Sequence, residues 1–248
     1  IAAASTLLSA AAGSSAAFLM AYTNLKRKEL LEMLLLLPFV IPSYIITLSW
    51  SGLLSRQGVI NRLVTAAGLE AINIYSVAGI ILVIGICNTP IVYMSVVHML
   101  RKIPMDMEWA SKTCGFGTCA TLLRINLAEV LPAVASGSLL AFLSAIDNFS
   151  VPAFLGISSG IPVLSTYIYE KAISFGPDAF PAAAALSVLL SVIAVGGTLF
   201  EGMLVGKRSA MESMKEDNTV RIWLPSRWRK GVEWGLLAFL GFINIVPL

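Results

Sequence analysis

What most limits the fold of this chain is a succession of uncharged stretches, each near the length a helix needs to cross a bilayer. They run Ile1–Leu25, Met33–Ser55, Ala71–Leu100, Val130–Ile146, Ala179–Phe200 and Trp234–Leu248. The hydrocarbon layer asks for about 20 mostly apolar residues per helix, which predicts helices over roughly 1–22, 31–54, 76–99, 131–155, 181–205 and 232–248. Charged residues are 12% of the chain and hydrophobic ones 57%, where a soluble domain carries about 25% charged. The expected fold is therefore all-α: a polytopic bundle of transmembrane helices surrounded by membrane lipid. A net charge of only +3 gives no footprint for nucleic acid. The chain opens at Ile1 inside one apolar run and stops at Leu248 inside another, and reads as a piece of a longer protein.

Short-loop Lys and Arg residues set direction, because they stay on the cytoplasmic side. If Lys26, Arg27 and Lys28 are cytoplasmic, alternation puts Arg101, Lys102, Lys112 and Arg124 there too. It does the same for Lys207, Arg208, Lys215, Arg221, Arg227, Arg229 and Lys230. Of the 17 basic residues, only Arg56, Arg62 and Lys171 fall on the far side.

The first helix is dense in small residues (Ala2–Ala4, Ser9–Ala17), which let helix backbones approach closely in lipid. Pro38, Pro42 and Pro90 lie inside apolar runs and are expected to kink them. Residues 55–75 and 156–180 read as modest outer loops. Residues 206–230 are charged and linker-like, and a fresh apolar run follows. Cys87, Cys114 and Cys119 form no CxxC and are expected as free thiols. His98 is far from all three in sequence, so no metal site and no cofactor is expected.

One stretch breaks the apolar pattern: IPMDMEWASKTCGFGTCATLLRINLAEVLP, from Ile103 to Pro132. Pro104 suits a helix start. Asp106 and Glu108 then fall in the first turn, where the helix dipole favours negative charge. Gly115 can end that helix in a left-handed cap, and a second helical piece follows from about Thr118 to Arg124. The product is a helix–Gly–helix elbow at the cytoplasmic face. On these residues alone it is either an amphipathic interface segment or a docking element for a soluble partner.

The spacing resembles the coupling loop of binding-protein-dependent ATP-binding-cassette import permeases. That family carries Glu-Ala-Ala, a Gly seven residues after the Glu, then an apolar residue and Leu-Pro. Here Glu108-Trp109-Ala110 precede Gly115, Ile125 and Leu127 hold matching positions, and Pro132 stands at the family's second proline. Trp109 replaces the middle Ala, Ala128 the first Pro, and Glu129 a usual Leu. The segments Phe142–Gly156, Ser165–Glu170 and Ala182–Arg208 are similar to the ferric-iron-type subfamily, in which two halves are often fused.

The resemblance implies a type I importer fold. Residues 1–205 would form a permease domain with the coupling loop at 101–130. A cytoplasmic linker at 206–230 and the start of a second transmembrane half at 231–248 would follow. It implies a bacterial inner-membrane protein that is not an enzyme, working with separate cytoplasmic ATPase subunits and a periplasmic solute-binding protein. Ferric iron is the implied solute and alternating access the implied mechanism. No G-x-x-x-x-G-K-[ST] occurs, so nucleotide is expected on the partner. Glu108, Trp109, Ala110, Gly115, Ile125, Leu127 and Pro132 are then the ATPase-coupling residues. Asp147 is read as the acid inside the fourth helix; with Asn148 it lines the pathway, or else it hydrogen-bonds a neighbouring helix or sits as a partly neutral acid near the outer boundary. Two other readings are a secondary transporter or channel, which needs no ATPase, and a membrane enzyme, which needs clustered His, Cys, Asp or Glu.

Overall fold

A computed structural model of the chain describes all residues except 56, 175, 177, 178, 206–216, 218, 247 and 248, and leaves aside the side chains of 119, 201, 204 and 205. The expectations for Arg56, Cys119, Lys207, Arg208, Lys215 and most of the linker's first half lie outside what it describes.

The described residues are almost entirely helical: α1 (Ala2–Tyr22), α2 (Lys28–Val40), α3 (Ser43–Leu53), α4 (Val59–Ala66), α5 (Val77–Lys102), α6 (Met105–Thr113), α7 (Thr118–Thr121), a π turn (Leu122–Asn126), α8 (Leu127–Asp147), α9 (Ser150–Leu155), α10 (Leu164–Ile173), α11 (Ala179–Val205) and α12 (Ser226–Asn244). Among them, 4 helices are long and apolar enough to cross a membrane, or up to 6 if the bent pairs α2–α3 and α9–α10 each count as one span. α12 falls short of that measure because Arg227, Arg229, Lys230 and Glu233 occupy its first turns.

α5 is the centre, packed by α1, α8, α2 and α9. Its start is capped by the Ser76 hydroxyl, which accepts from the Gly79 N–H at 3.2 Å, and Arg101 and Lys102 sit at its C-terminal dipole. α1 meets it through a stripe at four-residue spacing: Ser5, Ser9, Gly13 and Ala17 are all buried. A Cβ on Gly13 would lie 2.8 Å from the Thr89 carbonyl oxygen and 2.9 Å from the Tyr93 nitrogen, so only glycine permits this approach. The Ser9 hydroxyl donates to the Gly85 carbonyl at 2.9 Å. On the other side Asn88 joins α5 to α8, donating to the Ala141 carbonyl at 3.1 Å and accepting from Ser144 at 2.9 Å.

The C-termini of α1 and α5 lie at one face, because residues around 217–222 bond the backbone of both Tyr22 and Arg101. α8 begins at that same face, where Asn126 meets Tyr22, and runs antiparallel to both. This polarity agrees with the direction expected from the basic residues.

Two spans differ from expectation. The helix expected over 31–54 is broken, α2 and α3 meeting at 102°. Ile41 is extended (φ −82°, ψ 128°) and Pro42 (φ −56°, ψ 135°) starts the next helix; crowding by a proline ring drives the preceding residue out of the helical region. Pro90, by contrast, sits within an uninterrupted α5. The helix expected over 131–155 stops at Asp147, and the loop expected from 156 contains part of a second bent pair, α9–α10, at 75°.

Candidate functional site

The elbow forms where the sequence places it. Pro104 is extended (φ −71°, ψ 144°) and α6 begins at the next residue. The helix ends in a Schellman motif: the Gly115 N–H donates to the Lys112 carbonyl at 3.0 Å and the Phe116 N–H to the Ser111 carbonyl at 3.2 Å. Gly115 has φ +87°, a region that L-residues with a Cβ enter only at a cost. The return limb is α7 followed by the π turn, closed by the Leu127 N–H on the Leu122 carbonyl, and it runs without a break into α8. Two contacts pin the limbs together: the Ser111 and Thr121 hydroxyls at 2.9 Å, and the Arg124 guanidinium 5.1 Å from the centre of the Phe116 ring.

The expected coupling residues divide by orientation. Trp109 is 55% exposed, and Met107, Phe116 and Leu123 are exposed with it, as are Ala110 and Gly115. Leu127 is exposed at the start of α8, while Ile125 and Pro132 are half-buried. Glu108 corrects the expectation that it meets a partner, because its side chain turns inward and is only 3% exposed. Its carboxylate accepts from the Asn126 amide at 2.7 Å and from the guanidinium of Arg221, itself 2% exposed. The Asn126 amide also donates to the Tyr22 hydroxyl at 2.5 Å, and the Arg221 guanidinium lies 4.5 Å over the Tyr22 ring. A second arm of Arg221 donates to the Ile103 carbonyl.

Asp217 stands 3.6 Å from Arg221 and accepts from the Met105 N–H at 2.9 Å. Burial raises the Asp217 carboxyl pKa, but hydrogen bonds from Thr219 and Met105 and the Arg221 charge outweigh it, leaving the group below its ordinary 3.8. Arg221, Asn126 and Tyr22 gave no local signal in sequence: the Arg221 partner of Glu108 lies 113 residues away.

Asp147 and Asn148 lie far from the elbow. Asp147 is the last residue of α8, which has 21 residues and so spans about 30 Å from its start beside the elbow. The helix expected to continue past it ends there, so it closes the span Leu122–Asp147, and its side chain is not buried by the protein. Asn148 starts the following turn, its side-chain oxygen accepting from the Val151 N–H at 3.0 Å. A cavity of about 520 Å³ lies between α1, the α2–α3 bend, α5 and α12, lined by Leu8, Leu19, Pro38, Trp50 and Phe239 among others. No charged residue lines it. Among the described residues, no three of His, Cys, Asp and Glu come together to hold a metal ion.

The sequence profile of the "Binding-protein-dependent transport system inner membrane component" family matches residues 11–208. The chain belongs to this permease family. It is 32% identical over 195 residues to the molybdenum transport system permease protein ModB of Mycobacterium tuberculosis, covering 78% of this chain and 72% of that one. It is 26% identical over 210 residues to the ferric transport system permease protein FbpB of Actinobacillus pleuropneumoniae, covering 84% of this chain and 30% of that one. The permease fold also matches a crystal structure of a bacterial alginate ABC transporter in complex with an alginate pentasaccharide-bound periplasmic protein. There the TM-score is 0.64 and the identity 17%, over 85% of this chain and 78% of that one. The permease is thus a multi-pass inner-membrane transport component with a type I importer fold. Resemblance to ferric permeases does not set it apart, since a relative named for molybdenum matches at higher identity.

Proposed function

We propose that this permease carries a solute, handed over by a periplasmic binding protein, across the inner membrane by alternating access driven by separate ATPase subunits. The observation that carries the reading is the elbow. A glycine-capped helix at the cytoplasmic face presents Met107, Trp109, Phe116 and Leu123 outward, an apolar rim on an element otherwise tied to the bundle. Large apolar side chains left exposed on a short element outside the spans suit contact with another protein. Trp109, Ala110 and Gly115 form the surface the ATPase grips, with Ile125, Leu127 and Pro132 carrying the limb into α8. Glu108 holds the elbow from behind. ATPase closure displaces the elbow, and the helices change between two arrangements biased by nucleotide inside and loaded receptor outside.

The solute is a small inorganic ion. Ferric iron follows from the sequence resemblance, and the 32% identity to a molybdenum permease supports an oxyanion as the second reading. A fused two-half chain, with α12 opening the second half, fits the FbpB relative, in which the matched stretch is only 30% of the length.

The test is reconstitution of the full chain with its co-expressed ATPase and receptor, followed by uptake of radiolabelled ferric iron or molybdate with and without ATP. The reading expects ATP-dependent uptake and capture of ATPase subunits on the purified permease. Uptake that needs no ATPase subunit would mark a secondary transporter or channel and overturn it.

A further inference from the structure

We propose that Arg221 is a positioning residue for coupling, locking the elbow to the cytoplasmic end of α1 so that both move as one body. The inference rests on the importer reading above. Residues around Arg221 cross the cytoplasmic face as a strap. Its backbone is fastened to α1, the N–H groups of Arg221 and Ile222 both donating to the Tyr22 carbonyl at 3.0 and 2.9 Å. The Leu224 N–H reaches the Asn24 side chain at 3.0 Å, and the Asp217 N–H donates to the Arg101 carbonyl at the end of α5 at 2.6 Å. Asp217 in turn holds the Met105 N–H at the mouth of the elbow. Beyond Arg221 the chain enters α12, whose Glu233 accepts from the Lys26 N–H at 2.5 Å.

The guanidinium sits where all these elements meet. It bonds Glu108 of α6 and the Ile103 carbonyl, stands 3.6 Å from Asp217 and stacks over the Tyr22 ring of α1. A carboxylate buried as deeply as Glu108 is strongly disfavoured without its cation. The elbow therefore does not swing away from the strap, and since the strap is bonded to α1, it does not swing away from α1. Movement imposed on Trp109 and its neighbours then reaches α1 directly. The elbow is also joined to α5 through Ile103 and Pro104, so the movement enters α1 and α5 together, two helices that Gly13 holds in close contact, rather than passing up α8 alone.

The experiment uses the full permease assembled with its co-expressed ATPase subunits in nanodiscs. Its three cysteines are replaced, and spin labels are placed at Lys112→Cys, exposed on the elbow but outside its apolar groups, and at Lys26→Cys beyond the end of α1. The label separation is measured without nucleotide and with trapped nucleotide, so no transported solute is needed. With Arg221 present the separation is expected to stay constant. In Arg221→Met it is expected to change by about 2 Å or more on trapping, the scale of interface helix shifts, and Arg221→Lys is expected to restore much of the constancy. If Arg221→Met does not accumulate in the membrane, Arg221→Gln replaces it with the same expectation. A separation that changes equally in the presence and absence of Arg221, or stays constant in both, overturns the strap. A merely structural contact would lower yield without making the separation depend on nucleotide. If the unaltered permease captures no ATPase subunit, the importer reading itself falls.

Discussion

Gly115 is the most direct place to break the elbow without touching the bundle. Its φ is +87°, and a Cβ built there meets nothing within 4 Å. Within the chain the effect of a substitution is therefore backbone strain, with no intramolecular clash, and the Asn-against-Val comparison separates that strain from side-chain bulk against a partner. Left-handed backbone costs a residue bearing a Cβ roughly 1–2 kcal/mol, with β-branched residues worst and asparagine least affected. The Schellman bonds of Gly115 and Phe116 hold only while that conformation is kept. A cost of about 1–2 kcal/mol lowers the bent population relative to straightened forms by a factor of about 5–30. Solute imported per ATP hydrolysed is the quantity to measure, in proteoliposomes holding equal amounts of inserted permease. It is expected to fall in the order Gly115, Gly115→Asn, Gly115→Ala, Gly115→Val, with the valine variant hydrolysing ATP while importing little. Wild-type coupling in Gly115→Val, or Gly115→Asn as damaged as Gly115→Val, would refute the reasoning.

Gly13→Leu places a side chain where a Cβ alone is 2.8 Å from the Thr89 carbonyl; overpacking of this kind costs about 1–3 kcal/mol and is expected to lower the melting temperature in detergent, whereas an unchanged value would show that α1 and α5 can separate freely. Asn88→Ala removes two interhelical hydrogen bonds, each worth on average about 0.6 kcal/mol in a membrane protein. A loss of about 1 kcal/mol in a reversible unfolding titration is expected, shared non-additively with Ser144→Ala. Asp217 has a folded pKa below its ordinary 3.8, so its contribution to the strap is complete above that pH and is lost as the pH falls through the folded value. The protection factor of the Met105 amide, whose N–H donates to Asp217, is expected to be flat from pH 5 upward once intrinsic exchange is divided out, and to fall only in strong acid; a fall near neutrality would point to another titrating group.

The positions of the long apolar helices α1, α5, α8 and α11 were legible because a bilayer imposes one length on every span, whereas the bent pairs α2–α3 and α9–α10 were not. The Gly115 cap was legible because left-handed backbone selects glycine at a fixed distance after a helix start. The orientation of Glu108 was not. A first-turn acid satisfies the dipole wherever its side chain points, and what turned it inward is an arginine brought near only by tertiary folding. Asp147 illustrates the same limit. The run after Val130 continues apolar past it, and the helix stops there because Asn148 supports the turn into α9. Pro42 announced a bend, but its size depended on how α3 packs on α9 across that corner.

The π turn at Leu122–Asn126 makes the joint between elbow and α8 unequal in its response to changes in chain length. A π turn carries one residue more than an α-helix would use there, and each residue of an α-helix swings the next by about 100°. Removing one residue that is not Asn126 lets the turn close as ordinary α-helix, with the segments on either side keeping their facing. Adding one has no such slack: Asn126 would aim away from Glu108 and Tyr22, or α8 would turn Gly137 away from Ser95. Insertions here should therefore be far more damaging than single deletions that spare Asn126.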